Sequence, residues 1–314
     1  MKINNVPPSL LEQLIRDIKS LVPVHSVYGI ASTREKASSV YLLDSEEVQN
    51  DSFFYQLTLL LITYDKVLDH RALSQQLLEK SNGRIRTHLI LYTYEEIYNQ
   101  LELGDNFLSR VLRPENCLFQ ESSLSVSNYM AFPAMYEKIE KGWITRVNRA
   151  TYFESIADIL DVQRDEVARM NLINQMIFHS SSSLLWVFWE WPATTTDNDL
   201  LLNLCKSFTD CPDIILPDES YETQRIYSYL CNSYNNLHHQ TDLIISGEDT
   251  ELALEKAKQF RSCAEKLGKE RMDQLQKIHF FKSTASRKKN SPNGDNHGHL
   301  ILEPEVEYYG ILCT

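Results

Sequence analysis

The segment LTLLLITYD, residues 57–65, constrains the fold more than any other part of the chain. Its apolar residues follow one another without alternation, so a β-strand formed here presents apolar side chains on both faces. Such a strand has to be covered on both sides. We therefore expect it in the interior of a sheet that carries further strands and helices.

The neighbouring segments supply these elements. HSVYGIAS (25–32) and RIRTHLILYT (84–93) read as strands. PPSLLEQLIRDIKSLV (7–22) and HRALSQQLLEKSNG (70–83) have helical periodicity, with prolines at the start of the first and Gly83 at the end of the second. Two short helices around Gly104 and a last short strand then complete an α/β unit.

The rest of the chain has a different pattern. We predict an α/β domain over residues 1–121, a linker over 122–134, a helical bundle over 135–282 and a polar linker with a C-terminal tail over 283–314. Apolar residues recur with helical period through the third of these segments. The predicted helices of this antiparallel bundle are 136–162, 164–191, 198–208, 221–238 and 248–277.

Composition limits the classes of function. The 314 residues are 43% apolar and 24% charged, as in ordinary globular proteins, and the formal net charge is −12. An acidic surface argues against constitutive DNA or RNA coating, although a small basic groove remains compatible with it. No leader-like or membrane-spanning run is evident, so we expect a cytoplasmic protein without membrane contact. The six cysteines form no C-x-x-C pair and are expected to be mostly buried thiols.

Both halves resemble known families. The order of elements in the first half, together with LELGDNFLSRVLRPENCLFQ (101–120), resembles the minimal nucleotidyltransferases of the polymerase-beta-like fold. NLINQMIFHSSSSLLW (171–186) and YLCNSYNNLHHQTDLIISGEDTELALEKAKQF (229–260) are similar to the HEPN domain, a helical bundle often fused to such transferases. The resemblance implies a defence, stress or toxin–antitoxin-like setting.

The first resemblance implies a nucleotide site. In that fold a Gly-Ser turn after the first strand cradles phosphate, which makes Gly29, Ser32 and Arg34 the nucleotide-binding candidates here. An Asp-x-Asp pair on the central strand holds two Mg²⁺ ions. In this sequence Gln56 and Thr58 occupy those positions, and both are uncharged.

The third metal-binding position of that family also lacks an acid in this chain, and the nearest candidate acids lie in the polar insertion before the central strand. A third carboxylate is expected on the next strand, where this chain has Thr87 and His88. Active transfer would therefore need displaced carboxylates from the polar insertion, and we expect a catalytically degenerate domain. The candidates for such displaced metal ligands are Asp44, Glu46, Glu47 and Asp51.

The second resemblance implies a ribonuclease motif, in which four to six polar residues separate an Arg from a His. The matching stretch contains Tyr234, Asn236, His238 and His239 but no Arg. Two adjacent histidines could exchange protons near neutral pH, so a ribonuclease centred on His238 and His239 is an alternative. A structural role at the helix end is the simpler interpretation.

Together these patterns predict a nucleotide- or RNA-binding or regulatory module more readily than an enzyme. We expect a homodimer through the helical domain, since active relatives join two copies of the motif across a symmetry axis. No cofactor is expected, and Mg²⁺ is required only by the nucleotidyltransferase alternative.

Overall fold

The computed structural model describes residues 5–36, 53–102, 105–124, 136–160, 165–193, 195–217, 220–239 and 242–289. The chain divides into two compact units, residues 1–133 and 134–314. The first contains a small mixed sheet with helices, and the second is largely helical. Each unit has its own buried core and is described by itself.

Four strands form the sheet of the first unit: β1 (Val24–Lys36), β2 (Phe53–Thr63), β3 (Ile85–Thr93) and β4 (Cys117–Gln120). Their order is β3-β2-β1-β4, with β2 parallel to β3 and the other neighbours antiparallel. The apolar segment thus lies inside the sheet, as predicted. Residues 57–62 of β2 are buried on both faces.

Helices cover both faces of this sheet. Helices α1 (Pro8–Leu21) and α2 (His70–Lys80) pack on the face that carries the odd-numbered side chains of β2. Helices α3 (Tyr94–Glu102) and α4 (Asn106–Val111) lie between β3 and β4 in the chain and contact β1, β2 and β3. The buried residues that these helices contribute are Leu14, Ile18, Leu73, Leu77, Ile97, Leu101, Phe107, Leu108 and Val111.

The second unit contains α5 (Tyr136–Ile159), α6 (Glu166–Trp189), α7 (Asn198–Cys205), α8 (Cys211–Ile215), α9 (Tyr221–His239) and α10 (Gly247–Lys289). The long helix α6 contacts α5, α7, α9 and α10 and is buried along most of its length. Its side chains are therefore mostly apolar or small, in agreement with a sequence in which the apolar residues are not confined to one face of the helix.

The structure differs from the sequence-based expectation in three places. The short helix α8 was not predicted, and α10 continues to Lys289, past the predicted helix end at 277 and into the predicted linker that begins at 283. A disulfide joins Cys211 of α8 to Cys263 of α10, whereas the six cysteines were expected to be mostly buried thiols. Cysteine pairing depends on positions 52 residues apart in sequence, which local patterns do not report.

Two glycines allow indole rings to pack directly against helix backbone. A Cβ atom at Gly142 of α5 would overlap the ring of Trp186, and one at Gly268 of α10 would overlap the ring of Trp143. The Nε1 of Trp186 donates a hydrogen bond of 3.0 Å to the carbonyl of Ile139. These contacts hold α5 against α6 and α10.

Within the described residues, no helix combines the length and the apolar character needed to cross a bilayer.

We predict that Gly268→Ala lowers the free energy of unfolding by about 1–3 kcal/mol, because the added methyl group overpacks the contact with Trp143. At an open helical position the same change would stabilise by about 1 kcal/mol, since alanine is the better helix former. Urea denaturation of the whole chain measures the difference.

The control is Lys269→Ala, at the exposed neighbouring position, which we expect to change stability by less than about 0.5 kcal/mol. A Gly268→Ala protein as stable as the unmodified chain contradicts the close helix contact.

Candidate functional site

The predicted phosphate turn is part of a continuous strand. β1 runs from Val24 through Gly29 and Ser32 to Lys36, with a bulge at Ile30. Because of this extra residue, Gly29 pairs with Leu59 and Ser32 with Leu57, on the same face of the sheet. A strand with paired backbone groups differs from the nest of free N–H groups that binds phosphate.

Arg34 continues the same face of β1, opposite Tyr55 of β2. Its guanidinium lies 3.3 Å from the ring centroid of Phe53. The three nucleotide-binding candidates thus lie on the face that α1 and α2 cover, and the guanidinium is occupied by an aromatic contact.

The predicted metal positions lie on the opposite face. Gln56 pairs with Arg86 of β3, and Thr58 with His88, in the parallel register. The Nε2 atom of His88 lies 3.4 Å from the Oε1 atom of Gln56, and Thr58 and His88 are buried. Among the described residues, the side chains at this position are an amide, a hydroxyl, an imidazole and a guanidinium.

The candidate displaced carboxylates, residues 44, 46, 47 and 51, lie outside the described residues. In the described part of the chain, no group of three or more His, Cys, Asp or Glu side chains is arranged to hold a metal ion.

The HEPN-like motif residues lie in the last turns of α9. Tyr234 and His238 lie one helical turn apart and are exposed, and their rings pack in a tilted arrangement with centroids 4.4 Å apart. His239 is also exposed and is the last residue of α9. Asn236 is buried, because two residues along a helix turn its side chain to the other face. The four residues therefore do not share one exposed face.

A different cluster stands out in α5. The stretch KGWITRVNRATYF, residues 141–153, contains three cations and three aromatic residues but no Asp or Glu. In a chain with a net charge of −12, thirteen residues without an acid form a local basic segment. Basic residues interleaved with aromatic ones are typical of surfaces that bind nucleic acid.

Helical geometry sorts this segment into two faces. Lys141, Thr145, Arg149 and Tyr152 follow one another at spacings of three and four residues, and all four are exposed. The ring of Tyr152 is 64% exposed, which leaves it open to stacking. From Lys141 to Arg149 this line extends about 12 Å along the helix. We call these four residues the basic face of α5.

Arg146 borders the basic face and is anchored by the core. Its guanidinium lies 4.7 Å from the ring centroid of Trp186, and its Nη1 donates a hydrogen bond of 2.9 Å to the carbonyl of Gly142. Burial and the nearby Arg149 lower the pKa of Arg146. Two guanidinium groups are thus held close together on one side of α5.

His179 of α6 lies beside these arginines. Burial, reinforced by the charges of Arg149 and then Arg146, lowers its pKa to about 4. Its ring stacks on Phe153 with 5.6 Å between centroids, and Phe178 packs against it edge-on at 4.9 Å. At neutral pH the imidazole is therefore uncharged and can donate or accept a hydrogen bond without adding to the repulsion.

The acids that follow on α5 are paired with α10. Glu154 forms an ion pair with Arg261, and Asp158 one with Lys258. Arg149, in contrast, has no carboxylate partner among the described residues. The basic face consequently keeps its positive charge available to an external anion.

Sequence reasoning singled out His238 and His239 and missed the basic face. The signal was present as the acid-free stretch 141–153, which is visible without any structure. The electrostatic effect of Arg149 and Arg146 on His179 was not visible in the sequence, because the arginines and the histidine lie on two different helices.

Comparisons with protein-family models and with curated proteins find no match for this chain. The assignment of a function therefore depends on the geometry of the site.

We predict that the imidazole of His179 titrates near pH 4, well below the usual 6.5 for histidine. Arg149→Ala should raise this midpoint, because one of the two positive charges that oppose protonation is removed. Histidine-selective NMR of the whole chain as a function of pH measures it, with His179→Gln to assign the signal.

Arg16→Ala removes the same charge from the exposed surface of α1 and should leave the midpoint unchanged. A midpoint near 6.5 in the unmodified protein contradicts the burial of His179 beside the two arginines.

Proposed function

We propose that the protein is a binding module without nucleotidyltransferase activity and that its helical unit binds single-stranded nucleic acid, RNA in the setting that the resemblance implies. The observation that carries the proposal is the basic face of α5, where Arg149 has no carboxylate partner in the part of the chain that the structure describes. It lies on an otherwise acidic protein.

Electrostatics favour a polyanionic ligand at this face. Burial lowers the pKa of Arg146, and the positive charge of Arg149 lowers it further. The two guanidinium groups therefore repel each other, and a phosphate group relieves that repulsion. Arginine binds phosphate through several N–H groups in a fixed plane, so the interaction has direction as well as charge. His179 adds a neutral imidazole beside the pair.

The length of the basic face favours a strand over a single small anion. Lys141 and Arg149 are two turns apart, about 12 Å along the helix, which exceeds the reach of one phosphate group. Tyr152 lies one turn beyond Arg149 and presents an open ring on which a base can stack. Proteins commonly bind single strands with cations that follow the phosphates of the nucleic acid and with an aromatic side chain on which a base stacks.

The side chains on the sheet of the first unit support the proposal that this unit lacks nucleotidyltransferase activity. An amide, a hydroxyl and an imidazole lie where the resembled family carries its metal-binding acids. A regulatory or scaffolding role for this unit follows. The homodimer remains part of the proposal, with the exposed Tyr234 and His238 as its contact surface.

The test is fluorescence anisotropy with a labelled single-stranded RNA of about ten nucleotides, measured with the full chain at several salt concentrations. We expect saturable binding that weakens as salt rises. Arg149→Ala should weaken binding and reduce the salt slope by about 0.7, the value for one phosphate contact to a single strand. Tyr152→Ala should weaken binding about tenfold with the slope unchanged.

Arg16→Ala is the matched control, since it removes an equal charge from an exposed helix of the other unit. Equal losses from Arg16→Ala and Arg149→Ala would mean that net charge alone governs binding. That result, or no saturable binding, contradicts the proposed site.

A further inference from the structure

A second cluster of reactive groups lies in the first unit, at one edge of its sheet. The start of β1 meets the ends of β2, β3 and β4 there, because β1 is antiparallel to both of its neighbours. Just beyond these strand ends the chain places Tyr64, Tyr94, Glu121 and Ser122 around His25. The proposed binding face of α5 does not involve any of these residues.

His25 is buried in a bulge. The register of β1 against β2 shifts between Val24 and Ser26, which leaves His25 without a partner in that ladder. Its carbonyl accepts a hydrogen bond of 2.9 Å from the N–H of Glu121. The side chain is 1% exposed, packed at 4.8 Å from the ring of Tyr94 and at 5.7 Å from that of Tyr64.

Both ring nitrogens of His25 face a serine hydroxyl. Nδ1 lies 3.1 Å from the Oγ of Ser26, which is buried, and Nε2 lies 3.1 Å from the Oγ of Ser122, which is exposed. In the tautomer with the proton on Nδ1, the ring donates to Ser26 and accepts from Ser122. A hydroxyl that donates to a fixed imidazole is the arrangement that activates serine as a nucleophile.

We propose that Ser122 is a nucleophile toward small carboxylic esters with aromatic leaving groups, that His25 is its general base, and that Ser26 is a positioning residue. Only Ser122 of the three is exposed, so a substrate carbonyl can approach its Oγ from solvent. The exposed ring of Tyr64 and the neighbouring ring of Tyr94, with centroids 6.2 Å apart, offer an apolar surface for the aromatic group.

The reaction proceeds in two balanced steps. Ser122 Oγ attacks the ester carbonyl carbon and transfers its proton to Nε2 of His25; the carbon–oxygen bond to the leaving group then breaks, and the imidazolium returns the proton to the departing oxygen. Water next attacks the acyl-serine, with His25 again accepting and returning one proton. The products are a carboxylic acid and the alcohol, with the enzyme restored.

The local charges suit this role. Burial lowers the pKa of His25, so the ring is neutral at pH 7 and able to accept a proton. Glu121 opposes that shift and thereby stabilises the imidazolium once it forms. Tyr64 donates a hydrogen bond of 2.5 Å to Glu121, which keeps the carboxylate beside the cluster.

The experiment treats the full chain with a fluorophosphonate, which phosphonylates activated serines with loss of fluoride, and identifies the modified residue by peptide mass mapping. We expect one adduct, on Ser122. With p-nitrophenyl acetate as substrate, Ser122→Ala should lower the hydrolysis rate at least tenfold, and Ser123→Ala, at the exposed neighbouring serine, should leave it unchanged.

His25→Gln should abolish the adduct while circular dichroism stays that of the folded chain. If that variant does not fold, the comparison of Ser122→Ala with Ser123→Ala still decides. No adduct on Ser122, equal adducts on Ser122 and Ser123, or ester hydrolysis that survives Ser122→Ala each overturns the proposal.

Discussion

Burial of β2 on both faces is the constraint on which the first unit depends. Residues 57–62 are nearly inaccessible, so helices must cover both sides of the sheet. A carboxylate at Thr58 would be buried beside His88, and moving a charge out of water costs several kcal/mol that a partner or a metal ion has to offset. A hydroxyl avoids this cost. The absence of the acidic pair is therefore consistent with the close packing around Thr58. The family that the chain resembles has an ion site at this position.

In the helical unit the corresponding constraint is the close approach of α5 to its neighbours. Gly142 and Gly268 leave room for indole rings against backbone, which fixes how α5 is rotated about its axis. Arg146 then stacks on Trp186, and the residues one turn away along the outer side reach solvent. The basic face is thus a consequence of the same packing that orders the bundle, so its cations are held on a rigid element.

Much of the fold was predictable because it follows local patterns. The apolar run of β2, the periodicity of α1 and the glycine after α2 all report nearest-neighbour chemistry, and the structure confirms them. The bulge at Ile30 was not predictable, since it depends on how two strands pair. Asn236 was named with Tyr234, His238 and His239 as part of one motif, although helical periodicity places its side chain on the other face, where it is buried. The electrostatic effect of Arg149 on His179 joins two helices and could be found only from the tertiary fold.

The bulge in β1 sets the face of the sheet on which the candidate phosphate-binding residues lie, and this bears on which unit is the better candidate for binding phosphate. Without the extra residue, Gly29 and Ser32 would point to opposite faces, as residues three apart in a strand do. With it they share the face that α1 and α2 cover, while Gln56 and Thr58 point to the other side. A ligand that touched both sets would have to pass through the sheet. The exposed cations of α5 impose no such obstacle, which is why we propose the binding function for the helical unit.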